Sequence, residues 1–203
     1  MKIGFIGTGK ITSSIIYGIF KSKLKITKIY ISSRNRTIAK KLNKKFRSVK
    51  IVKDNQEIID SSSLIFLAVT PTVGIKILSK LKFKSNKKII SFIATISLAS
   101  LKKLTKNKNV VRAIPLPPIE IKKGPIIVCP PNKVAKSFFS HLGSVIEVKS
   151  EKVCNKFWST SALMAPFYEF LKVSIDWLTR KGVDQSKATN YITELFLGLS
   201  QDA

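Results

Sequence analysis

The segment "GFIGTGKIT", residues 4–12, places three glycines and two threonines close to the start of the chain. Gly7, Gly9 and Thr12 stand at the three defining positions of the pattern G-x-G-x-x-G/A. In that pattern the first glycine permits a tight turn, and the second lets backbone amides approach a pyrophosphate. Thr12 is a departure, because the third position is normally Gly or Ala. The chemistry predicted here is dinucleotide binding, if the segment joins a strand to a helix.

Two other interpretations of this segment are a simple tight turn and a secretory signal. Lys10 interrupts the apolar stretch, and no small-x-small cleavage site follows before "KSKLK". Both observations argue against a signal peptide. The choice between a structural turn and a phosphate-binding turn depends on the elements around it.

A second candidate for phosphate binding is "SSRNR", residues 32–36. Enzymes that prefer NAD place an acidic residue at the end of the second strand, to bind the ribose hydroxyls. This chain has no acidic residue before Asp54. Ser33, Arg34 and Arg36 instead suit a 2′-phosphate, since the guanidinium fork binds phosphate bidentately. The arginines could also be part of a solvated face, but arginine is scarce in this lysine-rich chain. The pattern therefore favours NADP.

Catalytic side chains are not evident in the sequence. The chain contains one histidine, His141, and two cysteines, Cys129 and Cys154, without a CxxC pair. We therefore predict no metal site. The hydroxyls of Thr160 and Ser161 are weak candidates for contacts to a substrate, because hydroxyl residues are also common near helix ends. The catalytic residues stay unassigned at this point.

Short apolar stretches alternate with segments of helical periodicity up to about residue 149. The predicted strands are "KIGFIG", "KIYIS", "VKIV", "SLIFLAV", "KKIISFIA", "NVVRAIP", "GPIIVCP" and "GSVIEVK". Such alternation predicts an α/β fold with a doubly wound, mainly parallel Rossmann sheet. The glycine pattern then lies at the first strand–helix junction, which is the context that dinucleotide binding requires. We assign residues 1–149 to an NADP-binding domain.

The pattern changes at about residue 150. The stretch "EKVCNKFWSTSALMAPFYEFLKVSIDWLTRKG" predicts a long helix that ends at Gly182, and Asp184 is placed to cap a second helix. Two long apolar helices cannot bury all of their apolar faces against each other. We therefore predict that residues 150–203 are a small, partial all-α dimerisation domain, which packs on a partner chain in a homodimer or higher homo-oligomer.

The formal net charge of the chain is +26, from 37 Lys and Arg against 11 Asp and Glu. The lysines are spread over the whole length, with few aromatic residues among them, so the sequence lacks the stacking platform of a single-strand binder. We predict no specific nucleic-acid partner. No apolar run reaches the length of a membrane span, and the sparse cysteines are typical of a reducing compartment. We expect a cytoplasmic protein with a small-molecule substrate.

In chain order, the motifs resemble the pyrroline-5-carboxylate reductase family, which makes proline by reducing a cyclic imine. The matching segments are "KIGFIGTGKI", "SSRNR", "LAVTP" for the family's A-V-K-P, "IISFIATISLASLKKL", "VVRAIPLPP" for V-V-R-x-M-P-N-T-P, and "APFYEFL" for G-P-A-Y-x-F. The resemblance implies NADPH-dependent reduction of 1-pyrroline-5-carboxylate. It also implies a Rossmann domain followed by helices that form a dimer, with the active site where the two meet.

The resemblance also assigns residues to two ligands. Those implied to contact NADP(H) are Gly7, Thr8, Gly9, Lys10, Ile11, Ser33, Arg34, Arg36, Ala68, Val69, Thr70, Pro71 and Ala94. Those implied to lie at the substrate are Pro115, Leu116 and Pro117, the last two replacing the family's Asn and Thr. The family's G-S-G-P-A becomes Leu163 to Phe167, so the substrate half departs more than the cofactor half. We therefore expect slow turnover of pyrroline-5-carboxylate.

Two other functions are compatible with these residues. One is reduction of another small molecule on the same scaffold, such as a deazaflavin-linked or keto-acid reductase. The other is a nucleotide-binding protein without catalysis, which would bind NADPH but reduce no electrophile.

Overall fold

The structure of the protein is a computed structural model that describes residues 1–202. The chain forms two compact units, one from Met1 to Asn155 and the other from Lys156 onward. The sequence predicts a boundary between functional domains at residues 149 and 150. That boundary stays a proposal about function, whereas the two units describe how the chain packs.

The first unit is built on one sheet of eight strands. These are β1 Lys2–Ile6, β2 Lys28–Ser32, β3 Val49–Val52, β4 Leu64–Leu67, β5 Lys88–Ser91, β6 Val110–Ile114, β7 Pro125–Cys129 and β8 Ser144–Glu147. Their order across the sheet is β3-β2-β1-β4-β5-β6-β7-β8. All neighbouring strands are parallel except β6 and β7. The predicted doubly wound, mainly parallel Rossmann sheet is confirmed.

Strand β7 runs antiparallel to β6 because the chain between them is short. A parallel return needs a crossover of about a dozen residues or more, usually a helix. Residues 115–124 contain only a 3₁₀ turn, Pro117–Ile121. This turn does not appear in the predicted pattern of strands and helices, and it holds the segment that the sequence assigns to the substrate.

The helices are α1 Lys10–Lys21, α2 Arg36–Lys45, α3 Asn55–Ser61, α4 Pro71–Leu78, α5 Leu98–Thr105, α6 Lys133–Phe139, α7 Glu151–Thr160, α8 Met164–Arg180 and α9 Gln185–Asp202. Several start after a side chain that accepts a backbone N–H: Asn35, Asp54, Ser97 and Asn132. Such caps satisfy amides that have no partner within the helix. The predicted cap at Ser97 is therefore confirmed.

Alternate residues of the strands face two apolar cores, one on each side of the sheet. Phe5 and Phe66 face the core beside α1, α2 and α6, where their rings stack with centroids 4.6 Å apart. Ile6 and Leu67 face the other core, with Leu101 of α5. Since strand side chains alternate between faces, a strand buried on both faces is apolar throughout. The continuous run "LIFL" of β4 is such a strand.

The predicted single helix over residues 151–181 is wrong in one respect. The structure divides it into α7, a 3₁₀ turn at Ser161–Leu163, and α8. Pro166 gives the physical reason, since proline cannot donate an intrahelical hydrogen bond and is tolerated in the first turn of a helix. A helix that restarts at Met164 places Pro166 in its first turn. Gly182, at φ +88°, follows the end of α8, as predicted.

Helices α8 and α9 leave large apolar side chains exposed. Phe170, Val173 and Trp177 lie on one face of α8 and are each more than half exposed. On α9, Tyr191 is 63% exposed, and Leu195 and Leu199 recur on the same face at four-residue spacing. None of the helices in residues 1–202 is both long enough and apolar enough to cross a membrane.

Candidate dinucleotide-binding site

Gly7 and Gly9 have different reasons to be glycine. Gly7 follows β1 with φ +106°, and an added Cβ would lie 2.2 Å from the carbonyl oxygen of Ala68. Both the backbone conformation and the close approach of Ala68 therefore require glycine. An added Cβ at Gly9 would meet no protein atom within 4 Å. Packing therefore leaves room beside Gly9, and this open space fits a phosphate group at the start of α1.

Thr12 is accommodated at the third position of the pattern because its hydroxyl makes a hydrogen bond to the turn. The side chain is fully buried, and its Oγ1 donates to the carbonyl oxygen of Gly7 at 2.8 Å. The larger side chain is thus accommodated with its polar atom satisfied, as a buried hydroxyl requires. The departure from Gly or Ala stabilises the turn and does not block it.

The glycine turn is also tied to the end of β2. The Gly7 N–H donates to Ser32 Oγ at 3.0 Å, and Thr8 Oγ1 donates to the Ser32 carbonyl at 2.7 Å. Thr8 and Ser32 are both buried. Ser32 occupies the end of β2, where an NAD-preferring enzyme carries an acidic residue. Here the Ser32 hydroxyl accepts the Gly7 N–H of the turn. These bonds tie the end of β2, which the two arginines follow, to the glycine turn.

A cleft of about 630 Å³ lies at this edge of the sheet. Most predicted cofactor residues line it, and they come from the ends of β1, β2 and β4. The lining residues are Gly7, Thr8, Gly9, Arg34, Asn35, Arg36, Ala68, Val69 and Thr70. Such edges are where doubly wound sheets bind dinucleotides, and β1 and β4 flank the switch in strand order. Two arginines and the N-terminus of α1 make this cleft suitable for an anionic ligand.

A smaller neighbouring cavity of about 160 Å³ contains Ser33, which was predicted, and Lys53 and Asn55, which were not. Asn35 in the larger cleft was not predicted either. Lys53 and Asn55 follow the carboxyl end of β3, the neighbour of β2. A survey of residues that follow each predicted parallel strand would have found them.

The remaining predicted cofactor residues lie around the cleft without lining it. Lys10 and Ile11 form the first turn of α1, Pro71 is the first residue of α4, and Ala94 follows β5. Thr70, which does line the cleft, precedes α4 as its N-cap and makes no capping hydrogen bond with its side chain. Because β1, β4 and β5 are parallel, all of these residues lie at the same edge of the sheet.

The predicted substrate segment follows β6 at that same edge. Pro115 is buried, Leu116 is half-buried, and Pro117 is exposed at the start of the 3₁₀ turn. The turn packs closely on α1, since a Cβ added at Gly18 would lie 2.4 Å from the Ile119 carbonyl oxygen. Ser14 of α1 also donates to Glu120 Oε2 at 3.3 Å. Gly18 therefore lets the substrate segment dock against the helix whose N-terminus faces the cleft.

The two weak catalytic candidates belong to the second unit. Thr160 Oγ1 donates to the carbonyl oxygen of Phe157 at 2.6 Å, and Ser161 Oγ donates to the same oxygen at 3.4 Å. Both hydroxyl protons are thus engaged at the break between α7 and α8. Over residues 1–202, no group of three or more His, Cys, Asp and Glu side chains could hold a metal ion.

Comparisons with known proteins give a consistent result. Residues 2–95 match the family model described as "NADP oxidoreductase coenzyme F420-dependent". The chain is 25% identical over 213 aligned residues to pyrroline-5-carboxylate reductase of Methanosarcina acetivorans, covering 100% of this chain and 78% of that protein. It is 27% identical over 156 residues to the Synechocystis sp. enzyme, covering 73% of this chain and 58% of the relative. That alignment thus spans less than two thirds of the Synechocystis protein.

Solved structures agree with this comparison. The 1-pyrroline-5-carboxylate reductase of Streptococcus pyogenes superposes with a TM-score of 0.82 and 25% identity, over 100% of this chain and 79% of that chain. The Plasmodium falciparum pyrroline carboxylate reductase, solved with NADP bound, also gives a TM-score of 0.82. At 21% identity, over 99% of this chain and 78% of that chain, the second match supports the fold alone.

Proposed function

Because the chain belongs to the pyrroline-5-carboxylate reductase family, we propose that it reduces a cyclic imine with NADPH and that 1-pyrroline-5-carboxylate is the substrate. The product is then proline, and the protein serves proline biosynthesis. The observation that carries the proposal is the match to the Streptococcus pyogenes enzyme over the entire chain. The broader assignment is an NADP(H)-dependent oxidoreductase of this family.

In this proposal, different residues of the cleft bind different parts of the cofactor. The amides at Gly9 and the start of α1 would hold the pyrophosphate, and Arg34 and Arg36 would pair with the 2′-phosphate. Thr70 after β4 and Ala94 after β5 would contact the nicotinamide end of the cofactor. When bound, NADPH would supply a hydride to the imine carbon, the C=N π electrons would pass to the nitrogen, and NADP+ would remain.

A protonated cyclic imine already carries its proton and its positive charge. The protein then needs to position the substrate and exclude water, and no strong general acid is required. In this proposal the rigid segment at Pro115 to Pro117 forms one wall of the substrate site. Leu116 supplies no hydrogen bond there, so turnover is slow. The double substitution Leu116→Asn with Pro117→Thr raises it.

The proposal includes assembly and location. The exposed apolar faces of α8 and α9 pack against a second copy of the chain, which forms a homodimer or a higher homo-oligomer. We place the protein in the cytoplasm, where thiols stay reduced. The free cysteines Cys129 and Cys154 are compatible with that location.

The test is NADPH oxidation with a panel of cyclic imines and keto acids, and with NADH as the alternative reductant. We expect 1-pyrroline-5-carboxylate to give the highest kcat/KM and NADPH to be preferred. The Leu116→Asn, Pro117→Thr variant is assayed beside the unsubstituted protein. A keto acid turned over faster than every imine would overturn the proposal.

A second candidate function is hydride transfer between NADP(H) and a deazaflavin. The observation that favours it is the description of the matched family model, which names coenzyme F420. Adding that coenzyme to the same NADPH oxidation assay separates the two functions. If NADPH binds and neither class of acceptor is reduced, the protein is a nucleotide-binding protein without catalysis.

A further inference from the structure

Arg112 carries a buried charge in the middle of β6. Its side chain is 4% exposed, and it lies between Ser91 of β5 and Cys129 of β7 in the sheet register. A buried guanidinium is tolerated only where it is paired and hydrogen-bonded. The partners of Arg112 therefore indicate what its buried charge does.

The guanidinium donates hydrogen bonds from both of its terminal nitrogens. Nη1 donates to Glu151 Oε1 at 2.6 Å and to Asn155 Oδ1 at 3.3 Å. Nη2 donates to the carbonyl oxygen of Ala94. Because the guanidinium is planar and rigid, these bonds fix the start of α7 and the Ala94 carbonyl relative to each other.

Glu151 extends the same network to α5. Its Oε1 also accepts the backbone N–H of Leu98 at 2.8 Å, and Leu98 is the first residue of α5. The Arg112–Glu151 pair therefore holds the segment from Ala94 to Leu98 at both of its ends. This segment follows the carboxyl end of β5, next to β4, whose end lines the cofactor cleft.

From this geometry we infer that Arg112 and Glu151 are positioning residues for hydride transfer. They hold the 94–98 segment in the conformation in which Ala94 meets the reacting end of the cofactor. The inference rests on the proposed function. Neither side chain touches the reacting atoms, and both act through the backbone of Ala94 and Leu98. A lysine at position 112 keeps the charge but cannot bind Ala94 and Glu151 with one rigid fork.

The test uses Arg112→Lys and Glu151→Gln in the full chain. The control is Lys136→Met, which breaks the Lys136–Glu147 ion pair, with Nζ and Oε2 3.0 Å apart, elsewhere in the same unit. The measurements are kcat and KM for 1-pyrroline-5-carboxylate, the NADPH dissociation constant, and hydrogen exchange of the 94–98 amides.

We expect kcat to fall by about tenfold to a hundredfold in Arg112→Lys, because small misplacements near reacting atoms have effects of this order. The NADPH dissociation constant changes by less than about threefold, since the phosphate contacts are intact. The 94–98 amides exchange faster, and the control variant changes neither quantity. Glu151→Gln keeps an oxygen acceptor for Leu98 and gives a smaller effect in the same direction.

An unchanged kcat together with a lowered melting temperature would make the pair purely structural and overturn the inference. If Arg112→Lys does not fold, Glu151→Gln decides the question by the same readouts. If the unsubstituted protein binds NADPH but reduces no imine, the proposed function fails separately. Hydrogen exchange at residues 94–98 and the fluorescence of bound NADPH then decide the inference, and no change in either would overturn it.

Discussion

The two units of the molecule differ in how far their apolar side chains are buried. In the first, Phe5, Phe66 and Phe139 are fully buried on one face of the sheet. In the second, Phe170 and Trp177 are 53% and 55% exposed. A sheet covered by helices on both faces completes its own core, whereas two helices alone leave one face of each uncovered. The first unit therefore supports its own stability, and the second is suited to burial by another surface.

The first prediction has the largest expected effect and tests whether the first unit is closely packed around its glycine turn. Gly7→Ala forces a Cβ to within 2.2 Å of the Ala68 carbonyl at φ +106°. We expect a loss of about 2–4 kcal/mol in the free energy of unfolding, and NADPH binding more than a hundredfold weaker. Urea unfolding and NADPH titration measure the two effects.

Gly9→Ala is the matched control, because its Cβ meets no protein atom within 4 Å. Its unfolding free energy should stay within about 0.5 kcal/mol of the unsubstituted protein, while NADPH affinity falls. Equal stability of Gly7→Ala and Gly9→Ala would contradict the packing argument.

The second prediction concerns the pH dependence of the first unit. Burial raises the pKa of the Cys129 thiol to about 11, from an ordinary value of 9.0. Below pH 9 both folded and unfolded states keep the proton. As the pH rises from about 9 to about 11, only the unfolded thiol ionises, so stability is lost, by roughly 2–3 kcal/mol at most.

Urea unfolding at about pH 8 and about pH 10.5 measures this loss. Replacing the thiol in Cys129→Ala should remove that part of the pH dependence, since alanine does not ionise. An identical slope in both proteins would show that the buried thiol does not cause the loss.

The third prediction addresses the second unit. Trp177→Glu places a charge on the exposed apolar face of α8, and a central tryptophan in an interface is typically worth about 2 kcal/mol or more. We expect the solution mass to fall from a dimer, twice 22.7 kDa, to 22.7 kDa. Light scattering over a range of concentrations measures it, and NADPH binding should persist.

Thr179→Glu is the matched control. It adds the same charge to α8 two residues further on, which is nearly the opposite face of the helix. The control should remain a dimer. A mass of 22.7 kDa for the unsubstituted protein would contradict the proposal that the second unit is buried in a dimer interface.

The smallest effect tests whether the cleft of the first unit selects its cofactor. Arg34→Ala or Arg36→Ala should weaken NADPH binding by about 1–3 kcal/mol, since a charge-assisted contact to the 2′-phosphate is lost. NADH binding should be nearly unchanged. Arg47→Ala, an exposed arginine that does not line the cleft, is the control. Equal affinity of the unsubstituted protein for both cofactors would contradict the assignment.

Much of the first unit could be predicted from local sequence. The strands are short apolar runs, and caps such as Ser97 are local signals, because the backbone amides they bind lie within three residues. The reversal of β7 was not visible, since it depends on how residues 115–124 connect two strands. The break at Ser161–Leu163 was missed because helical periodicity continues across it, although Pro166 carried the signal.

Some residues of the candidate site could likewise be predicted from local sequence, whereas others depend on how the chain folds. The glycine pattern and "SSRNR" each act within a few residues, so their types and spacing were sufficient to predict phosphate binding. Lys53 and Asn55 were not predicted, because they approach Ser33 only when β2 and β3 pair. Thr160 and Ser161 could be named from the sequence, but only the structure shows both hydroxyls donating to the Phe157 carbonyl.

The fold class and NADP(H) as the cofactor could be predicted from the sequence alone, whereas phosphate binding at the glycine turn and selection of NADP over NAD stay predictions. These follow from apolar periodicity, glycine at a sharp turn and the absence of an early acid, which are properties of neighbouring residues. The folded structure is needed to see how Thr12 is accommodated, what requires glycine at position 18 and what the Arg112 charge binds. Each of these depends on a group brought close by folding: the Gly7 carbonyl, the Ile119 carbonyl and the Glu151 carboxylate. Buried polar groups must find partners, and Glu151 and Ile119 lie so far along the chain from Arg112 and Gly18 that only folding brings them together.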